Sequence, residues 1–463
     1  MTPLVHRSAA ELAGLIRRRE VSSDEVLRAH LDRMDEVNPR INAVVARATE
    51  RALAEAAAAD AALARGDEVG PLHGVPFTIK DCIDTEGVVT TWGTAGRVGH
   101  VPDADATVVA RLRGAGGILM GKTNIPELAM SYDTDNAVYG PTLNPYDPER
   151  SPGGSSGGAA AAVAAGLSPL DIGSDTAGSI RIPAHFCGIA GLKPTAGRVS
   201  RAGSSGWRAS HIEQFTQVGP LARTVADLAL VLPLICGPDG VDPALSPVPL
   251  GRPDDVPLAG LRVGVFGENG VDAADGATLD ALDAAGRALT EGGAIVSPAA
   301  PPGLDRLPDV VSRIIVGDGG WWMARLLDEV GTGASTFGTF PLRPPLSAED
   351  YVLLLEDRER LKADLLAFMA GYDLLLCPVT AGPALPLGAA GTAARPPGFT
   401  FTHPFNLTGW PVAVVRCGTS PDGLPIGLQI VARPRREDVA LAAAAALEAD
   451  LGGWQPPAIA AER

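Results

Sequence analysis

Apolar residues recur three and four apart over residues 8 to 66, at Leu12, Leu15 and Ile16 and again at Leu27, Leu31 and Met34. The run from Glu50 to Arg65 is built almost wholly of helix formers. This pattern predicts an N-terminal helical layer over about 1–66. From Gly70 to about Gly237 the period changes. Short apolar runs, Val75 to Lys80, Ile118 to Asn124 and Gly191 to Pro194, alternate with helical spacing and Gly/Pro turns, which predicts stacked α/β layers. A stretch rich in proline and aspartate, 237–260, reads either as a domain boundary or as a long surface loop. Beyond it, Leu261 to Phe266 and Ala294 to Val296 flank a helix. Asp373 to Pro378, Pro411 to Val415 and Gly423 to Val431 are three further strand candidates that extend one sheet. No internal repeat is present.

With 463 residues, 46% of them hydrophobic, the chain can bury a large core, and length alone would suggest two or three domains. Its one long apolar stretch, around Ala159 to Gly166, is too short to span a bilayer. Met1 to Arg7 leads into a polar, helix-like segment rather than the apolar run of a secretory signal, so the expected location is cytoplasmic. The five cysteines, Cys82, Cys187, Cys236, Cys377 and Cys417, lack the paired spacing of a zinc site or disulfide framework and read as reduced core residues. A net charge of −16 argues against a nucleic-acid surface. Lysine is scarce: Lys80, Lys122, Lys193 and Lys362 are the only four. Lys362 sits in a charged helical run and reads as solvated. The other three adjoin apolar strand-like segments, and any of them is a candidate for a desolvated amine with a lowered pKa.

Two glycine-serine runs carry the chemistry. Ser151-Pro-Gly-Gly-Ser-Ser-Gly-Gly158 and Gly173-Ser-Asp-Thr-Ala-Gly-Ser-Ile-Arg181 are separated by one alanine-rich helical segment. Glycine lets backbone approach closely, so such runs suit a site built from hydroxyls and backbone N–H groups. A flexible linker would not lead straight into Ala159 to Ala165, which is made to pack. A P-loop needs Gly-Lys-Ser/Thr at a spacing absent here. Gly153-Gly-Ser-Ser-Gly157 matches a hydrolase nucleophile elbow in form. That reading needs an acid and a histidine downstream, and His185, His211 and His403 have no convincing acidic partner in the sequence.

The chain resembles the amidase signature family. The resemblance rests on Gly70-Pro-Leu-His-Gly-Val-Pro-Phe-Thr-Ile-Lys-Asp81, Gly121-Lys-Thr-Asn-Ile-Pro-Glu127, both serine runs and Gly191-Leu-Lys-Pro-Thr-Ala-Gly-Arg198. It continues through Gly219-Pro-Leu-Ala-Arg-Thr-Val225, Pro404-Phe-Asn-Leu-Thr-Gly-Trp-Pro411 and Gly427-Leu-Gln-Ile-Val431, covering most of the chain. The 24-residue separation of Ser155 and Ser179 agrees with it.

The resemblance implies a single domain over 1–463, a three-layer α/β/α fold around a central mixed sheet covered by helices, with a catalytic core over about 70–237. It implies Ser179 as nucleophile, Ser155 as relay and Lys80 as base, with a cis bond before Ser155. Backbone N–H groups of Thr176, Ala177, Gly178 and Ser179 would form the oxyanion hole, and no metal or cofactor is implied. Ala177 stands where the family usually has glycine, so it is expected to keep a negative φ while Gly178 carries any unusual angle. Thr216 stands where aspartate is common. Asp175 and Arg181 read equally as supports of the serine loop or as a surface ion pair. Ala129, Met130 and Tyr132 are implied to line the acyl pocket, while 203–211 and Trp321-Trp322 are either further walls or plain loop and core.

The expected activity is hydrolysis of a small neutral amide with an apolar or aromatic acyl group. The alternatives are an esterase or carbamate hydrolase on the same fold, the ammonia-delivering subunit of a glutamine-dependent aminoacyl-tRNA amidotransferase, and a non-catalytic binding protein. That amidotransferase subunit usually carries glutamine after the motif arginine, where this chain has Ile182. The partner expected is a small-molecule amide, not nucleic acid or membrane, and a homodimer stays open.

Overall fold

The computed structural model describes residues 2–204, 211–333, 335, 344–390 and 398–461. Its strands are β1 (Val44–Arg47), β2 (Pro76–Lys80), β3 (Ile118–Thr123), β4 (Leu170–Asp175), β5 (Ala190–Lys193), β6 (Gln217–Ala222), β7 (Arg262–Val265), β8 (Ile295–Pro298), β9 (Leu374–Pro378), β10 (Val412–Thr419) and β11 (Pro425–Ala432). They join in one sheet in the order β1-β3-β2-β4-β6-β5-β10-β11-β9-β7-β8. The sheet is mixed: β2 lies parallel to β3 and β4, and β7 parallel to β8 and β9, while the remaining pairs are antiparallel. Strands from both sides of the stretch 237–260 belong to this one sheet, so that stretch does not divide it.

Seven helices of the first half are α1 (Ala9–Arg17), α2 (Ser23–Ile41), α3 (Thr49–Arg65), α4 (Thr107–Gly114), α5 (Gly157–Ala164), α6 (Arg181–Phe186) and α7 (Val225–Ile235). Capping boxes start the first two. In α2 the Ser22 hydroxyl accepts from Glu25 N at 3.0 Å, and Glu25 accepts from Ser22 N at 2.7 Å. The alternating strand pattern then sorts the layers. Phe77 and Ile79 pack with α1, α4, α7 and the helices Gly276–Glu291 and Glu437–Leu451 on one face. Thr78 and Lys80 take the other face, where α5 lies over β2 and β4.

The predicted helical layer contains one strand. Val44–Arg47 pairs antiparallel with β3 at the sheet edge, and four residues are too few to interrupt a helical pattern visibly. Two further strands that the apolar runs do not announce are β4 and β6: β4 mixes polar residues and glycine with its apolar ones, as in Leu-Asp-Ile-Gly-Ser-Asp, and β6 is interrupted by Gly219 and Pro220. β4 matters most, because it delivers the second serine run. α5 is built of glycine, alanine and one valine, and every residue in it is buried. A Cβ at Gly158 would stand 2.3 Å from the backbone nitrogen of Asn124, so only glycine permits this approach.

Candidate active site

Lys80 is the last residue of β2, and Asp175 ends the parallel neighbour β4, so both leave the sheet at the same end of the strands. The Lys80 side chain is wholly buried. Its amine donates to Ser155 Oγ at 2.8 Å, Ser174 Oγ at 3.0 Å and the Ser174 carbonyl at 3.3 Å. Burial lowers its pKa from the usual lysine value, against the opposing pull of Cys82, Asp175 and Asp171. The other two strand lysines are buried as well, but they differ in partners. Lys193 faces the carbonyls of Pro194 and Trp410 and the Gln217 side-chain oxygen, groups that only accept and so cannot pass it a proton, although burial and the nearby Arg181 lower its pKa to about 7. Lys122 faces the Ile83 carbonyl and the Thr85 hydroxyl. Lys80 alone among these three has serine hydroxyls around it, and a hydroxyl can return a proton to a neutral amine. Lys362 is solvated as expected and pairs with Glu359 at 3.3 Å.

Ser155 directly precedes the turn into α5, and the Gly154–Ser155 bond is cis. Two links tie the serine runs together: Ser156 N donates to the Ser179 carbonyl at 3.2 Å, and Ser156 Oγ donates to the Ser174 carbonyl at 3.3 Å. The loop 176–179 between β4 and α6 is held from below by Asp175 and Arg181. Both are fully buried, and Arg181 Nε and Nη2 donate to the two Asp175 carboxylate oxygens at 2.9 Å each. Arg181 also donates to the Thr402 carbonyl, Gln429 and Asn406, while Asp175 accepts from Gly178 N, Ile180 N and Asn406. Burial would raise the Asp175 pKa, but the Arg181 guanidinium and these donors hold it well below the usual carboxylate range. The loop-support reading therefore stands over the surface ion pair.

One oxyanion-hole candidate is corrected by this network. The Gly178 N–H is already donated to Asp175 Oδ1 at 2.8 Å, so it braces the loop. The N–H groups of Thr176, Ala177 and Ser179 have no acceptor among the described residues. Gly178 has φ +128°, and Ala177 is not among the residues of positive φ, as expected from its Cβ. Thr402 Oγ1 donates to the Ala177 carbonyl at 2.6 Å and fixes that peptide from behind. The Thr216 substitution also has a local role, because its hydroxyl pairs with that of Thr176 at 2.8 Å.

A cleft opens beside this loop. It is lined by the polar residues Cys82, Ser174, Thr176, Ser204, Glu213 and Thr216 and by the apolar Leu128, Ala129, Met130, Ile212, Trp322 and Leu326. Ala129 and Met130 are among the residues that line this cleft. Tyr132 does not reach the cleft lining. Its ring packs on Phe399 and its hydroxyl meets His403 Nε2 at 2.8 Å. Trp322 is a wall residue, whereas Trp321 is exposed under Arg325. Of the segment 203–211, residues 205–210 lie outside the described residues. The histidines of the elbow reading lie elsewhere: His185 contacts backbone of Gly382 and Gly427, and His211 the carbonyls of Ile314 and Ile315. The cysteines are all free. Sequence reasoning missed Ser174 and Cys82 beside the lysine, and Glu213 and Thr402. No local pattern marks any of the four: alternation from Ile172 would assign Ser174 to the face opposite Lys80.

These features belong to one known class. A family model described as Amidase matches residues 25–441, and the chain belongs to that family of amide-hydrolysing enzymes. Among curated relatives it is 39% identical to a glutamyl-tRNA(Gln) amidotransferase subunit of Salinispora arenicola, over 99% of this chain and all of the relative. It is 37% identical to an acylamidase of Rhodococcus erythropolis, over 96% of this chain and 95% of the relative. A solved bacterial aryl acylamidase of the amidase signature family superposes with a TM-score of 0.85 at 30% identity, covering all of both chains. No helix among the described residues is long and apolar enough to cross a membrane.

Proposed function

We propose that this chain hydrolyses a small carboxylic amide through an acyl-enzyme on Ser179. Neutral Lys80 takes the proton of Ser155 as Ser155 takes that of Ser179, and the freed Ser179 oxygen attacks the amide carbonyl. The N–H groups of Ala177 and Ser179, with Thr176 beside them, receive the developing oxyanion, where one donor can be worth about 3 kcal/mol. The proton returns through Ser155 to the leaving amine, and water then repeats the sequence to release the acid. The observation that carries this reading is the buried Lys80 amine on the Ser155 hydroxyl. The apolar residues Met130, Ile212, Trp322 and Leu326 support an acyl group with an apolar body. A serine-directed organophosphate tests it: the labelled peptide should contain Ser179, and label on Ser155 or Ser156 would overturn the order of the relay.

A second reading is transfer rather than hydrolysis, in a complex like that of the amidotransferase relatives. The purified chain distinguishes the two. Turnover of amides, esters or carbamates by the chain alone favours the hydrolase and identifies the bond, whereas glutamine turnover that requires added partner proteins favours transfer.

A further inference from the structure

The lining of the cleft beside the serine loop holds a carboxylate that the chemistry above does not use. Glu213 lies in the short helix His211–Phe215, three residues before Thr216, whose hydroxyl meets Thr176 of the serine loop. Its side chain is largely buried, at 14% exposure, and lines the cleft beside Ile212, Trp322 and Leu326. One carboxylate oxygen, Oε2, is buried with no hydrogen-bond partner among the described residues. The cation nearest to it there is Arg201, at 3.8 Å, too far for a hydrogen bond. Arg201 is already committed: Nε and Nη2 clasp the Asp242 carboxylate at 2.9 Å each, and Nη1 donates to the Glu213 backbone carbonyl at 2.6 Å. Burial pushes the Glu213 carboxyl up to about 7, against the pull of Arg201 and with the push of Asp242.

A carboxylate left this way costs free energy in the empty site, and a cation placed against it removes that cost. An uncharged acyl group would leave Oε2 without a hydrogen bond, with Arg201 at 3.8 Å as its nearest opposite charge. We propose that Glu213 reads the far end of the acyl group, and that the favoured substrates are amides whose acyl chain is an apolar run ending in a cationic amine. The inference rests on the amidase reading of the same cleft and changes one part of it: the acyl group is not neutral. Met130, Trp322 and Leu326 would cover the methylenes, and Glu213 the ammonium.

The test is a series of ω-amino alkanamides, from β-alaninamide to ε-aminocaproamide, each beside the alkanamide in which a methyl group replaces the ammonium. The wild-type protein should prefer the amino amide at one chain length by about tenfold or more in kcat/KM. Glu213→Gln should abolish that preference by raising KM for the amino amide, while kcat/KM for the methyl isostere stays within about threefold. Equal losses on both substrates, or a wild type that favours the isostere at every length, would overturn the assignment. A readout free of any variant is protection: n-butylammonium should slow organophosphate labelling of the wild-type protein, and no protection would count against Glu213 as the cation site. If isosteres are hydrolysed and Ser179 is labelled while no amino amide is preferred, the Glu213 inference fails and the amidase reading stands. If neither amide series is turned over and Ser179 stays unlabelled, the amidase reading itself fails.

Discussion

Lys80, Ser174 and Asp175 stand on the last residues of two paired parallel strands, whereas Met130, Glu213 and Trp322, which line the cleft beside them, stand on loops and short helices. On the strand side the polar groups are buried and bonded several times over. Asp175 and Arg181 alone connect Gly178, Ile180, Thr402, Asn406 and Gln429, elements far apart in the chain. Leu128 and Ala129 sit at φ +51° and +60°, angles that disfavour a Cβ by roughly 1–2 kcal/mol each, and backbone bonds to Trp92 and Pro126 hold them there. Each side stores a different property. Reaction geometry needs donors fixed to fractions of an ångström, and the ends of paired interior strands supply that. Substrate choice needs a wall that can vary without disturbing the donors, and loops supply that.

The strand side is most vulnerable at the lysine. Lys80→Ala and Ser179→Ala should each lower kcat by about a thousandfold or more, with Ser155→Ala close behind, and the Lys80/Ser155 double variant should be no worse than the poorer single, since a relay acts as a unit. Full additivity in a steady-state assay would separate the two residues. In the wild type kcat/KM for an uncharged amide should rise with pH as Lys80 loses its proton. Because burial lowers that pKa, the limb should lie below the 10.5 of an ordinary lysine, and a limb at that value would mean an exposed base.

The next effect concerns stability rather than turnover. Arg181→Met strands the buried Asp175 carboxylate and should cost about 3–5 kcal/mol in urea unfolding. Arg360→Met, which breaks the exposed pair with Glu356, should cost less than about 1 kcal/mol. Similar losses in both would erase the contrast between a braced floor and an ordinary surface. A smaller effect is expected at the cleft wall: Trp322→Ala should raise KM about tenfold and leave kcat within a few-fold, because the wall contacts ground state and transition state alike. A fall in kcat matching that of the serine variants would place Trp322 among the groups that hold the reacting atoms. Smallest of all, Ala177→Gly should change kcat only a few-fold, since the donor is a backbone N–H and Ala177 does not occupy a glycine-like angle. A large gain in single-turnover measurements would indicate that the natural loop is strained.

Much of the site is legible in the amino-acid sequence, because the serine runs, Lys80 and their glycines are local requirements. A residue that must approach backbone to within van der Waals contact, such as Gly158, leaves its mark in one position of the chain. Strands with strong apolar runs are equally legible, as with β2, β3, β7, β9, β10 and β11. β4 is not, since Gly173, Ser174 and Asp175 serve the site rather than the sheet's apolar faces. Tyr132 shows the opposite failure: the motif carries it into the acyl pocket, but the ring turns to Phe399 and His403 instead.

Residues near one another in the chain suffice to specify the class of chemistry, the two serine turns, the scarcity of lysine and the layered order of elements. Packing had to settle the rest: which of three buried lysines has serine partners, that the Gly178 N–H is spent on Asp175, and that Glu213 lines the cleft with one oxygen lacking a hydrogen bond among the described residues. Those outcomes depend on which acceptors and charges the folded sheet brings within a few ångströms. Water, which would screen or satisfy them in an open chain, is excluded from between them.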